Sequence, residues 1–507
     1  MIKILIKNSN QCQLDNWDYT GQEDKIIRKL FEDFSIKHPN AYYIKLKSKG
    51  NWDGVVHYIN KGGYFNIGLL KTVCNKLDEY KAKYVVEDLR RPIGVEIKIP
   101  RKVGNLELRD RQLQAVETIL NNKVGGIPFL ICSANYSVNF GKSLIFCAIH
   151  KAFQFKLKTI LLLNDATLFD QFKNEIPLLL PEERITFVQG GKVMKWSNFT
   201  VAMVQSVAKN IKTYESELIS FDIVLLDEAD VIDNDTYNTV IKRLYNSLIR
   251  IGLSGTLYAN QLKKFVIHNM NVKSFIGEMV DEVTLMEQIK AGYSTPTIVK
   301  TIELPDKKYN KDDLLIHDYL EQYESIVINS KVSYDIIKQR LDFNLKYGRK
   351  PLIVVAKYIK HCELIYKFCK EHYDLKIGVV HVDINKKVRK KTLDDFRDGN
   401  LDILVTTKII FRGKNLPLLR YVLNVSSMDS KEGTIQLLGR LVRKHTKKTK
   451  AYIDDIIFPG TYLIRHGHHR KNYYLNQGLK VIQLPRNKKK RRKKYLKDNP
   501  KTIKNKK

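Results

Sequence analysis

Two series of short, β-branched apolar runs constrain this chain more than any other feature. Between residues 125 and 255 the runs FLIC, TILLLN, FTVAMV, FDIVLLDE and IRIGLSG alternate with longer amphipathic segments. After residue 350 the rhythm returns as PLIVVA, KIGVVHV, LDILVTT, YVLNVSS and KAYIDDII. Near-continuous apolar strands separated by helical patterns belong to parallel sheets covered on both faces, because a parallel crossover needs a helix. The expectation is an α/β protein with two tandem parallel-sheet domains. The stretch GYSTPTIVKTIELPDKKYNKDD mixes proline, glycine and charge and places the boundary near residue 290. That gives domains at 101–289 and 290–484.

The first hundred residues have another texture. GNWDGVVHYINKGGYFNIGLL alternates apolar and polar positions around Lys61-Gly62-Gly63, a hairpin signal, and the helical LLKTVCNKLDEY follows. Residues 1–100 are therefore expected to form a separate small α+β domain. Trp52 and Tyr64 could stack on exposed bases, although core packing is the more common use of such rings. Residues 485–507 carry thirteen Lys or Arg from Arg486 onward against one Asp, and such a basic tail is expected to be disordered when free.

Charge narrows the partners. The formal net charge is +34, and removing the tail's surplus of twelve still leaves +22 on the body. A surplus of this size favours a polyanion, nucleic acid first. No apolar stretch approaches the roughly 20 residues of a membrane span, and MIKILIKNSN is too short and polar for a signal peptide, so a cytoplasmic protein is expected. Six scattered cysteines without a C-x-x-C pair suit buried, reduced thiols better than zinc. RHGHHR, with His466, His468 and His469, has no completing ligand and reads as a solvated or phosphate-facing loop.

Chemistry enters at SVNFGKS. Gly141-Lys142-Ser143 is the second half of a phosphate-binding G-x-x-x-x-G-K-[ST] pattern, whose first glycine position holds Tyr136. An apolar strand precedes it and a helical pattern follows, the context in which backbone N–H groups converge on phosphate. Asn139 is the residue after glycine most tolerant of positive φ, and Phe140 must then point away from a nucleotide. The strand FDIVLLDEAD ends in Asp227-Glu228, one carboxylate for a magnesium shell and one to orient or deprotonate water. Arg440 and Arg443 stand three apart in QLLGRLVR, a spacing that puts both on one helical face toward a shared anion.

In this order the motifs resemble those of superfamily 2 helicases and translocases. LRDRQLQAV resembles the segment whose glutamine reads adenine, which implies a nucleobase contact for Gln112. SVNFGKS and DEAD resemble motifs I and II, which implies ATP held by Asn139, Gly141, Lys142 and Ser143, with Mg2+ on Ser143 and Asp227 and Glu228 acting on water. TTKIIFRGKNLP resembles motif V, adding Gly413 and Asn415 at the nucleotide, and QLLGRLVR resembles motif VI, whose Arg440 and Arg443 act as arginine fingers on domain closure. TILLLNDATLFDQF, VQGGK and GLSGTL resemble the motifs that couple ATP to nucleic acid. With motifs V and VI, the resemblance implies coupling by Asp165, Gly190, Gln205, Ser254, Thr256, Thr406 and Gln436. The family implies two RecA-like domains. The family resemblance also implies 3′ to 5′ movement, and GNWDG and RKNYYLNQGLKVIQ further resemble the terminal regions of a phage recombination helicase, which implies work on single-stranded and branched DNA and R-loops: fork regression, branch migration, recombination and repair. A monomer in the host cytoplasm is expected, with an RNA–DNA hybrid as a further substrate. An RNA helicase and a DNA clamp with a degenerate ATPase site stay open.

Overall fold

The computed structural model describes residues 1–15, 24–39, 41, 52–191, 195–257, 266–408 and 416–484. The expected basic tail, Gly413 and Asn415 lie outside the described residues. The chain divides into two compact units, Met1–Val283 and Thr284–Lys507.

The core of the first unit is a seven-stranded, all-parallel sheet. Its strands in chain order are Ile131–Tyr136, Thr159–Leu163, Ile185–Val188, Phe199–Met203, Ile223–Asp227, Ile249–Ser254 and Met279–Val283. Across the sheet they run third, fourth, second, fifth, sixth, first, seventh. Every residue of the second, fourth, fifth and sixth strands is buried, which is why they read as unbroken apolar runs.

The second unit repeats the plan. Thr297–Glu303, Leu352–Val355, Ile377–Val380, Ile403–Thr406, Tyr421–Asn424, Ala451–Ile457 and Val481–Gln483 form another seven-stranded parallel sheet in the identical order. Two tandem RecA-like domains follow from this pair. The division falls after Val283, ahead of residue 290, because Thr284 already starts the next helix with a capping box to Glu287. Thr297–Glu303, inside the proline- and glycine-bearing segment that placed the boundary, is a seven-residue strand. Its buried positions include Thr297 and Thr301, and Lys300 and Glu303 are half-buried, which disguises it as polar sequence.

The N-terminal residues build a four-stranded sheet in the order Tyr64–Asn66, Gln11–Asp15, Ile2–Ile6, Tyr84–Asp88. It is not separate from the first motor sheet: Leu70, Val73 and Phe65 share one apolar cluster with Val124, Phe129 and Ile131. Gly68 lies so close to the helix Val266–Ile276 that a Cβ there would collide with the Lys273 carbonyl. The expected hairpin around Gly62 is only a turn. One bridge joins Ile59 to Phe65, while Val55–His57 pairs with Ser35–Lys37 and Tyr64–Asn66 pairs with Gln11–Asp15. The Asn60 side chain closes the turn by accepting from Gly62 N at 2.9 Å and Tyr64 N at 3.0 Å. Trp52 and Tyr64 are half-buried, Trp52 donating to the Val55 carbonyl at 3.0 Å.

RHGHHR is also not a loop, since it lies within the helix Thr461–Asn476. Its glycine presses on Ile457, where a Cβ would not fit, so a residue that usually weakens helices serves close packing here. All six cysteines are buried and free. Among the described residues no helix is long and apolar enough to cross a membrane.

One buried group sets an acid limit on the first unit. His150, fully buried with Nδ1 2.7 Å from Thr159 Oγ1, is drawn down by burial from 6.5 to about 4. The folded protein keeps it neutral while the unfolded chain protonates near 6.5, so its stabilisation is intact above that pH and is lost as pH falls toward 4. At about 1.4 kcal/mol per pKa unit, roughly 2 kcal/mol should disappear between about pH 7 and pH 5. Urea unfolding of the parent and of His150→Gln at both pH values checks this. The parent should lose that much more than the variant, and equal slopes would refute it.

Candidate nucleotide site

Three adjacent strands of the first sheet, the fifth, sixth and first, deliver their C-terminal ends to one place. That edge is where open parallel sheets take ligands. The first strand runs on to Tyr136, the position where the complete phosphate pattern would have glycine. Tyr136 is still strand, fully buried, with its hydroxyl donating to Asp281 at 2.9 Å. Asp281 is held in turn by Arg111 through bonds of 2.9 and 2.6 Å. The turn therefore starts later. Asn139 has φ 69° and Gly141 φ 94°, and Phe140 tucks into the core against Tyr136. Gly141 then caps the helix Lys142–Ala152.

Lys142 reaches across this edge to the end of the fifth strand. Its Nζ lies 3.0 Å from Asp227 and 3.2 Å from Glu228. Burial disfavours the ammonium charge, but the two carboxylates outweigh it and hold the pKa above the ordinary lysine value. Burial moves Glu228 the other way for an acid, up to about 7, with Lys142 opposing and Asp227 and Asp230 adding to the rise. A carboxyl at that value can exchange a proton near neutral pH. Glu228 also sits at φ 48°, a left-handed conformation that costs a non-glycine residue energy and recurs at functional sites.

Asp230 closes the constellation, and the sequence reading did not single it out. Ser254 donates to its Oδ1 at 2.6 Å and Thr256 to its Oδ2 at 2.8 Å. Ser254 also lies 3.3 Å from Glu228 Oε2. Both hydroxyls of GLSGTL thus clasp the last residue of DEAD, so a shift of either loop is felt by the other. An S-x-T pair after a strand facing a D-x-x-D pair was the available signal.

A nucleotide's phosphates fit what is present. Ser137 Oγ and Asn139 Nδ2 are buried with no hydrogen-bond partner among the described residues, and a Cβ on Gly141 would crowd the Gln112 amide. Asp227 is nearly fully buried beside Lys142, and Ser143 opens the same helix, so both could hold a divalent cation.

Other expected residues have different uses. Gln112 is engaged with the phosphate turn: its amide donates to the Phe140 carbonyl at 2.6 Å and accepts from Arg109 N at 3.0 Å. Arg109 donates to the same carbonyl at 2.6 Å, so the pair clamps the phosphate loop from behind. Asp165 caps the helix Ala166–Leu179, accepting from Thr167 N at 2.9 Å and Leu168 N at 3.0 Å. An aspartate at that position is a strong cap. Gln205 donates to the Asn164 carbonyl at 3.1 Å, and Gly190 N, at φ 77°, donates to Ser206. Thr406 is fully buried, its hydroxyl spent on the Val380 carbonyl at 2.8 Å, so it presents no hydroxyl to a strand.

In the second unit Gln436 and Arg440 lie on the helix Lys431–Leu441, but Arg443 falls beyond its end. Thr295 takes the Val442 carbonyl at 2.7 Å through its N–H and the Arg443 carbonyl at 3.0 Å through its hydroxyl. Those bonds replace a further helical turn, so the two arginines do not share one helical face.

Residues 105–259 match the family described as type III restriction enzyme, res subunit, and residues 333–445 match the helicase conserved C-terminal domain. With the paired RecA-like sheets, the chain belongs to the superfamily 2 helicases, which are nucleic-acid-stimulated ATPases. It is 24% identical over 488 residues to the ATP-dependent DNA helicase uvsW of Enterobacteria phage T4, covering 91% of this chain and 93% of that one. It is 22% identical over 414 residues to the DNA 3'-5' translocase XPB2 of Sulfurisphaera tokodaii, covering 75% and 88%. Among solved structures, the ATP-dependent Type ISP restriction-modification enzyme LlaBIII bound to DNA shares the fold at a TM-score of 0.52 and 14% identity, covering 81% of this chain and 34% of that one.

Proposed function

We propose that this chain is an ATP-driven DNA translocase that remodels branched DNA and R-loops by fork regression and branch migration. The observation that carries the catalytic part is the convergence of Lys142, Asp227, Glu228 and the Asp230–Ser254–Thr256 clasp on one sheet edge. The branched-DNA part is supported by similarity to a phage DNA helicase over 91% of this chain and 93% of that one.

Each residue then has a task. Backbone N–H groups of the Asn139–Ser143 turn and the Lys142 ammonium receive the phosphates, with Gln112 and Arg109 holding the turn in shape. Magnesium, held by Ser143 and Asp227, would neutralise phosphate charge. Glu228 orients the attacking water and accepts its proton. Arg440, with Arg443, stabilises charge on the transferring phosphoryl, an effect worth about 10³ to 10⁵ in rate in comparable NTPases. Gly413 and Asn415 are assigned to the nucleotide. Ser254 and Thr256 transmit the state of the DEAD loop, and Asp165, Gly190, Gln205, Thr406 and Gln436 support the surface that follows the strand. Movement is 3′ to 5′, by a monomer in the cytoplasm of the host.

Steady-state ATP turnover with single-stranded DNA, forked DNA, an RNA–DNA hybrid, single-stranded RNA and no polymer tests this. Forked DNA should stimulate most, and the hybrid should be unwound. Greater stimulation by RNA would favour an RNA helicase. Absence of turnover with every polymer would leave a DNA clamp.

A further inference from the structure

Arg250 stands near the start of the sixth strand, four residues and roughly 13 Å from Ser254 at the nucleotide edge. It is fully buried. Its guanidinium donates to the Phe275 carbonyl at 3.0 Å and to Asn10 Oδ1 at 2.7 Å, both neutral acceptors. Its Nε has no partner, and no carboxylate pairs with it among the described residues. Burial, with a smaller push from Arg90, brings Arg250 down to about 9, still cationic at neutral pH. Two neutral hydrogen bonds do not offset a desolvated charge, so a buried arginine without an acid ordinarily has an anion to meet.

The space for one is there. Arg250 lines a cavity of about 310 Å³ between the N-terminal sheet and the first motor sheet, together with Asn10, Asn66, Asn238, Lys242 and Phe275. Both charged groups on its wall are cations. Asn238 carries a buried amide oxygen without a partner, and turning that amide over would aim its N–H groups instead. A second cavity of about 390 Å³ shares Asn66, Asn238 and Phe275 and adds Tyr58, Tyr64, Asn60 and Asp233, whose carboxylate is taken by His268 at 3.1 Å and Asn271 at 2.9 Å. Rings and amides of that kind suit whatever the anion is attached to.

We infer that the Arg250–Lys242 cavity binds a phosphate group, separate from the ATP site. The phosphate is carried either by a free nucleotide-sized molecule or by the end of a DNA strand.

Full-length protein with Lys142→Ala, which removes the phosphate grip of the motor site, is titrated calorimetrically with inorganic phosphate, dAMP, and 5′-phosphorylated and 5′-hydroxyl oligonucleotides. At least one phosphate-bearing probe should bind saturably. Arg250→Gln should weaken it about tenfold or more, the scale of a lost hydrogen bond to a charged group, and Lys242→Gln about threefold. Tight binding of dAMP assigns the free ligand, whereas preference for the 5′-phosphorylated strand assigns the strand end. Absence of saturable binding, or affinities that neither variant changes, overturns the inference. Lys242 is exposed, so if Arg250→Gln fails to fold, Lys242→Gln alone decides.

Discussion

Replacing Lys142 with alanine is expected to lower DNA-stimulated ATP turnover by at least about 10² to 10³-fold, the scale on which a single preorganised donor contributes to stabilising developing charge. DNA affinity without nucleotide should stay within about twofold, since one buried lysine adds little to a surface interaction governed by phosphate contacts. The reason is local. Lys142 is the cation held 3.0 Å from Asp227 and 3.2 Å from Glu228, and without it a buried and a half-buried carboxylate face each other with nothing between them. One would then keep a proton, so the variant loses the phosphate contact and the proton acceptor together. Turnover assays with single-stranded DNA, beside fluorescence anisotropy on the same strand, separate the two effects. Hydrolysis above roughly a tenth of the parent rate would remove Lys142 from the proposed chemistry, given the magnitude above.

The architecture was largely legible because parallel strands buried on both faces leave an apolar signature that survives sequence divergence. The strands read from TILLL, FTVAM and IVLLD are fully buried. Thr297–Glu303 and Met279–Val283 are hard to read as strands because lysine, glutamate and aspartate occupy their incompletely buried positions. The phosphate turn was legible from Asn139, whose tolerance of positive φ matches its observed 69°. What could not be read was how side chains are shared. Gln112 and Thr406 look free in sequence, yet backbone carbonyls claim both. Arg443 looks helical until Thr295, distant along the chain, takes the carbonyls on which another turn would depend. Arg250 gives no signal at all, because an arginine inside an apolar strand is conspicuous only once burial is known.

Asp455 and Arg470 make the same point with a larger energy. KAYIDDII reads as a strand with an acidic interruption, but Asp455 and Arg470 form an ion pair in which both side chains are almost wholly inaccessible. Arg470 meets the Asp455 carboxylate through Nε at 3.1 and 3.0 Å and through Nη2 at 2.7 Å, and spends a further N–H on the Met428 carbonyl at 2.8 Å. Tyr474 and Asn424 donate to the same carboxylate at 2.7 and 3.1 Å. Arg470→Met is expected to destabilise the second unit by about 3 to 5 kcal/mol, the cost of leaving one member of a buried pair uncompensated. Asp455→Leu added to it should recover only part of that loss. It removes the stranded charge but leaves the Tyr474 hydroxyl and the Asn424 amide without an acceptor, at about 1 to 3 kcal/mol each where no water replaces it. Denaturant unfolding of the single and double variants measures both quantities. A single variant within about 1 kcal/mol of the parent would mean that water or rearrangement already compensates the carboxylate, and that the pair is not a keystone of this sheet.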